Sequence, residues 1–174
     1  MNIILRNLES KDKDYFFKWV KDKEVIRYSL LIFQKMNTDE EISIWFDKLL
    51  LDKYAYNQAI FDKSNDKLIG YAGICKLSKT NLSGEYFIFI GDKMYHNKGV
   101  GTFVTKEIVR HGFEKLGLNR IMLTASEKNV GAIKAYTKAN FKNEGIMRQA
   151  FYRDGKFHDK IIMGILKEEW DSKL

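Results

Sequence analysis

Hydrophobic positions change their period several times along this chain, and the changes divide it into helical and extended stretches. Ile3-Ile4-Leu5 is a short apolar run that reads as a strand. Ser10 is placed as the cap of a helix on which Tyr15, Phe16, Trp19 and Val20 recur at helical spacing. Thr38 and Glu41 have the spacing of a capping box, and Ile42, Trp45, Phe46, Leu49 and Leu50 behind them form the stripe of a second helix. The period then changes to short β-prone runs. Residues 56–61 and 68–77 read as strands around a Ser64-Asn65-Asp66 turn, 80–84 as a further turn, and 85–90 as a strand apolar enough to be central. A helix from Gly99 carries Val104, Ile108, Phe113 and Leu116, and Gly117 suits the left-handed position beyond its end. Residues 120–125 read as a strand and 129–139 as a short helix with Val130, Ile133 and Tyr136 on one face. Residues 141–151 and 156–166 flank Asp154-Gly155, a strong hairpin turn. The order β-α-α-β-β-β-α-β-α-β-β predicts an α/β fold, a mixed sheet with helices on its faces.

Composition narrows the class. A chain of 174 residues with 45% apolar and 30% charged positions suits one globular domain, here taken as 1–174. Cys75 is the single cysteine, so neither an intrachain disulfide nor a cysteine-rich metal site is expected. No apolar run reaches the ~18 residues of a membrane span, and the first residues lack the marks of a signal peptide. The expectation is a reduced, cytoplasmic protein without a membrane partner. A formal charge of +7 favours polyanionic partners. The basic residues are nevertheless scattered, so no direct nucleic-acid site is evident.

The segment from Ile90 to Thr102 is the richest in chemistry. A strand feeds a loop, His96-Asn97-Lys98-Gly99-Val100-Gly101, that opens a helix. A helix start exposes about four unpaired N–H groups and about half a positive charge, a combination that binds diphosphate. Gly99 and Gly101 let phosphate oxygens approach the backbone, and Lys98 adds a cation. The spacing is not that of a P-loop, because no Gly-Lys-Ser/Thr follows. Nor is it a dinucleotide fingerprint, since Val104 stands where a third glycine is needed. On the next helix, Asn129, Ala132 and Tyr136 follow, with Asn129 able to cap and Tyr136 two turns along on the same face.

These two motifs together resemble the GNAT N-acetyltransferase superfamily, the first its acetyl-CoA loop and the second its later signature. The opening Ile4-Leu5-Arg6-Asn7-Leu8 and the hairpin from Tyr152 to Asp159 resemble the RimJ/RimL branch, which acetylates ribosomal-protein N-termini and has relatives acting on polyamines and amino sugars. The likeness runs over about residues 3 to 166. It implies a GNAT-like acyltransferase fold, a mostly antiparallel sheet of about seven strands flanked by about four helices. It also implies that acetyl-CoA is the donor, bound by Phe89, Ile90, Gly91, His96, Asn97, Lys98, Gly99, Val100, Gly101, Thr102, Asn129 and Ala132, with no metal. Three positions depart from the pattern. His96 stands where Arg or Gln is usual, Asn7 replaces a common proline, and Thr124 occupies the place of the base in ribosomal-protein members.

Direct acetyl transfer to a primary amine requires a donor to the thioester carbonyl, a base for the amine and an acid for the leaving thiolate. The strand before the loop would offer the backbone donor, with Gly91 marking a bulge that frees its end. Tyr136 is expected as the acid, since a phenol is matched to a thiolate in pKa. Glu85 leads as the base, ahead of Glu127 and His158. Cys75 has no base beside it and is not expected to form a covalent intermediate. By the resemblance, Arg27, Tyr28, Phe33, Tyr152 and Arg153 would line the acceptor site. The leading acceptor is a protein N-terminal amine, then an amino sugar nucleotide, then a polyamine, against which the positive charge counts. A non-catalytic CoA- or nucleotide-sensing module, or an RNA-associated binder, is the rival reading. A homodimer is compatible with the resemblance.

Overall fold

The computed structural model describes residues 1–172. In chain order they form β1 (Ile3–Arg6), α1 (Lys13–Trp19), α2 (Asp39–Leu51), β2 (Tyr56–Asp62), β3 (Lys67–Ser78), β4 (Ser83–Ile90) and α3 (Val100–Glu114). These are followed by β5 (Arg120–Ser126), α4 (Val130–Lys138), β6 (Lys142–Arg153), β7 (Lys156–Leu166) and a closing turn of helix, α5 (Lys167–Asp171). The strands make one seven-stranded sheet in the order β1-β2-β3-β4-β5-β7-β6. Every neighbouring pair is antiparallel except β4 and β5, which run parallel. This is the GNAT-like α/β architecture anticipated above, with α5 added.

Local chemistry explains most element ends. Thr38 Oγ1 accepts from Glu41 N while Glu41 accepts from the Thr38 N–H at 3.0 Å, so the capping box is complete. Gly117 has φ +66° beyond α3, and Asp154 and Gly155 have φ +51° and +73°, the pair of left-handed residues a tight hairpin turn needs. Two boundaries move. Helix α1 is not capped by Ser10. Asp12, 1% exposed, takes two bonds from Arg6 and one from the Glu9 N–H, and the helix begins after it. Ser83 and Gly84 belong to β4 because they pair with Arg120 and Ile121 of β5.

Alternation along the strands feeds two cores. One face, with Ile60, Ala72, Ile74 and Tyr86, packs against Val104, Ile108 and Phe113 of α3. The other, with Ala59, Tyr71 and Phe89, packs an aromatic cluster of Phe16, Trp19, Phe33 and Phe46 from the α1 to α2 region. That second core reaches the end of β4. The N–H groups of Gly91 and Asp92 both donate to Ile69 O, at 2.9 and 3.2 Å, which bends the chain out of the sheet. Trp19 fills the space over this bend. A Cβ at Gly91 would lie 2.0 Å from Trp19 Cδ2.

Gly91→Ala is therefore expected to destabilise the fold by about 3 kcal/mol through overpacking. Urea unfolding should show a lower midpoint at unchanged slope. An unchanged midpoint would show that Trp19 can move aside at little cost.

Candidate active site

The site exists because two parallel strands part. Strands β4 and β5 pair only over Ser83–Arg120, Gly84–Ile121 and Glu85–Met122. Beyond Glu85, β4 continues to Ile90 with its second edge unpaired. The N–H of Gly91 points to β3, and the Ile90 carbonyl, one residue back, faces the opposite side. By the same alternation the Ile88 N–H and C=O also face the gap. A cavity of about 630 Å³ occupies it. Its floor is Ile88, Phe89 and Ile90. One wall is Glu24, Val25, Arg27, Tyr28 and Ser29, and the other is the face of α4 with Ala132, Ala135 and Tyr136.

The loop between β4 and α3 closes one end. His96, Asn97, Gly99, Gly101 and Thr102 line the cavity there. Gly99 has φ +81° with nothing within 4 Å of a would-be Cβ, and Gly101 has its nearest such neighbour at 3.7 Å. The backbone is thus open where a diphosphate would meet the first N–H groups of α3. Lys128, Lys134 and Lys138 stand on the facing wall. Open glycines, unpaired helix amides and facing ammonium groups fit the diphosphate of acetyl-CoA, and the bare edge of β4 fits the amides of its pantetheine arm.

Three buried contacts hold this frame. Tyr95 donates to Asp62 Oδ2 at 2.9 Å and tethers the loop to β2. Asp62 is fully buried, which opposes its ionisation. Bonds from the Asn2 and Ser64 N–H groups, Tyr95 and Asn65 outweigh that and hold it at about 2. Tyr86 Oη lies 2.9 Å from Thr105 Oγ1, which donates to Gly101 O at 2.6 Å, linking β4 to the first turn of α3. Asn129 caps α4 by accepting from the Ala132 N–H at 3.2 Å. Tyr136 packs edge-on against Tyr86, centroids 6.0 Å apart, and its hydroxyl donates to no protein group among the described residues. Burial pushes the Tyr136 phenol above its ordinary pKa, so it stays protonated through the neutral range.

The structure gathers some of the predicted residues and disperses others. Phe89, Ile90, His96, Asn97, Gly99, Gly101, Thr102, Asn129, Ala132, Tyr136, Arg27 and Tyr28 line the cavity. Gly91 and Val100 are buried behind it, and Lys98 is exposed away from its walls. Glu85, expected as base, lies where β4 and β5 are still paired, its carboxylate 2.6 Å from Lys76 Nζ. Glu127 and His158 are also off the cavity, and His158 donates to Arg153 O. Phe33, expected at the acceptor, is fully buried against Phe16, Trp45 and Phe89. Tyr152 is exposed and packs on Phe157, while Arg153 donates to Arg27 O behind the wall. Cys75 is half-buried on β3, away from the cavity, and burial pushes its thiol up. Sequence reasoning missed Glu24, Lys93, Tyr95 and the lysines of α4. Only Lys134 and Lys138 carried a signal, one turn apart on the helix that bears Tyr136.

Comparison with known proteins agrees with this geometry. The acetyltransferase (GNAT) domain model matches residues 2–142. The uncharacterized N-acetyltransferase YoaA of Bacillus subtilis is 29% identical over 95% of this chain and 93% of its own. The spermidine N(1)-acetyltransferase of Escherichia coli K12 is 25% identical over 97% and 88%. The crystal structure of spermidine N-acetyltransferase from Vibrio cholerae, solved with CoA and spermine, superposes with a TM-score of 0.86 at 21% identity over 97% and 98%, a likeness of fold. The RimJ/RimL assignment is thereby corrected, since near-full-length likeness runs to spermidine acetyltransferases instead. The loop and the Asn129–Tyr136 pair carried a likeness to the superfamily as a whole, so they could not tell its branches apart. No helix among the described residues is long and apolar enough to cross a membrane.

Burial raises the phenols of Tyr71, Tyr86 and Tyr136 in the fold. Their contribution to stability is complete below the unfolded value of about 10 and lost as pH climbs above it. Circular dichroism should report unfolding above about pH 10, with phenolate absorbance rising in the same transition. Full phenolate formation with the circular dichroism unchanged would contradict the burial.

Proposed function

The chain belongs to the acetyltransferase (GNAT) family and is an acetyl-CoA-dependent N-acetyltransferase, and on that premise we propose that its acceptor is a polyamine of the spermidine/spermine class. The observation that carries the reading is at the wall formed by residues 24–29. Lys93 Nζ lies 2.9 Å from both Asp22 Oδ2 and Glu24 Oε2, and Glu24 borders the cavity. The carboxylates at this wall already hold an alkylammonium, the group a polyamine repeats. The full-length likeness to a spermidine acetyltransferase supports the same class. The formal charge of +7 does not oppose it. A charge summed over the chain says nothing about the field at one wall of the cavity.

In this reading the donor contributes an acetyl thioester, and the chain's own groups do the rest. Amides of Gly99, Val100, Gly101 and Thr102 bind the diphosphate, and the edge of β4 at Ile88 and Ile90 aligns the arm. An N–H on that edge donates to the thioester oxygen as charge gathers there. Tyr136 holds a proton for the departing sulfur. A primary alkyl amine has a pKa near 10 and must shed a proton before it attacks. Glu24 carries a carboxylate on the cavity wall, whereas Glu85 lies off the cavity where β4 and β5 are still paired.

Thiol release with purified protein and acetyl-CoA tests the acceptor. Spermidine and spermine should exceed a peptide α-amine and an amino sugar nucleotide by about tenfold or more in kcat/KM. Preference for either of the latter would overturn the polyamine reading. Tyr136→Phe should lower kcat about 100-fold while leaving the KM for acetyl-CoA within about twofold. An undiminished kcat would remove Tyr136 from the proton transfer.

A further inference from the structure

His96 does not reach out from the diphosphate loop. Its Nε2 lies 2.9 Å from Ile90 O, the last carbonyl of β4 and one of the groups on the unpaired edge. A carbonyl oxygen only accepts, so Nε2 carries the hydrogen and the ring donates through it. The bond spans the loop, because Ile90 is the residue before the bend at Gly91 and His96 comes three residues before Gly99. The other restraints act elsewhere. Gly91 and Asp92 are pinned on Ile69 O, Asp92 on Lys67, and Tyr95 on Asp62. None of them ties the loop to the open edge of β4.

We propose that His96 is a positioning residue for donor binding. It clamps the diphosphate loop to the strand that receives the pantetheine arm, so that the two halves of the donor site are held in fixed relation before the donor arrives. Ordering a loop beforehand removes part of the entropy otherwise lost on binding. The clamp does not consume the strand's capacity, since a carbonyl oxygen has two lone pairs and Ile90 O can accept a second donor. It also gives the histidine a function that depends on hydrogen-bond geometry rather than on charge at the phosphates. This inference rests on the acetyl-CoA reading of the cavity but is independent of the acceptor.

Calorimetric titration of CoA into His96 variants tests it without turnover. Glutamine places an amide N–H at about the reach of Nε2, asparagine only at that of Nδ1, and alanine places none. His96→Gln should bind CoA within about twofold of the parent, while His96→Ala and His96→Asn should bind about fivefold more weakly or worse. In steady state, the same two variants should raise the KM for acetyl-CoA and leave kcat within about twofold. Unchanged binding by His96→Ala would overturn the proposal. So would equal weakening by all three variants, or a parallel loss of kcat, KM and melting temperature, which would mark a general structural role. Failure of the polyamine panel with this pattern intact would fault only the acceptor.

Discussion

The structure turns on a strand pairing that stops short. Two parallel neighbours in the middle of a sheet normally bond along their whole length, since unpaired buried backbone groups are costly. Here β4 and β5 pair over three residues each and then diverge, although both strands continue. The divergence creates a cavity with backbone donors and acceptors along one side, and everything chemical is arranged around it. The helix following β4 aims its first amides into the opening, and the helix following β5 lays Tyr136 along the opposite wall.

Holding the strands apart takes packing on both faces. On one face, Tyr86 stands between the strands and α3, joined to Thr105 and through it to Gly101, with Tyr136 and Phe141 against its ring. On the other, Trp19 presses on Gly91 where the chain leaves the sheet, backed by Phe16 and Phe89. The aromatic cluster is thus continuous with the site. Phe33, which a family likeness would bring to the acceptor, serves this second core instead.

Charged groups of both signs line the cavity. Lys134 and Lys138 of α4 line the cavity, and at the start of α3 unpaired helix amides favour an anion. Glu24 lines the cavity as well, paired with Lys93, which also binds Asp22. The net charge of +7 therefore does not fix the field inside the cavity, since nearby charges count for more than distant, screened ones.

What the sequence determined by itself was the local patterning of the chain. The capping box at Thr38, the turn at Asp154-Gly155, the glycines of the α3 loop and the spacing of Asn129 and Tyr136 depend on residues a few positions apart, and all were legible. β-prone runs bounded by turn residues likewise showed the strands. What tertiary structure alone decided was which side chains meet, whether three residues apart or 69. Asp12 takes the helix start from Ser10 because Arg6 and the Glu9 amide converge on it. Glu85 is drawn to Lys76 because β3 lies beside β4, and Glu24 reaches the cavity wall because Lys93 holds it, 69 residues away. Periodicity tells which face a side chain takes but not what it meets there. The parting of β4 from β5 is likewise set by side chains packed on both faces, so no run of residues within either strand announces it.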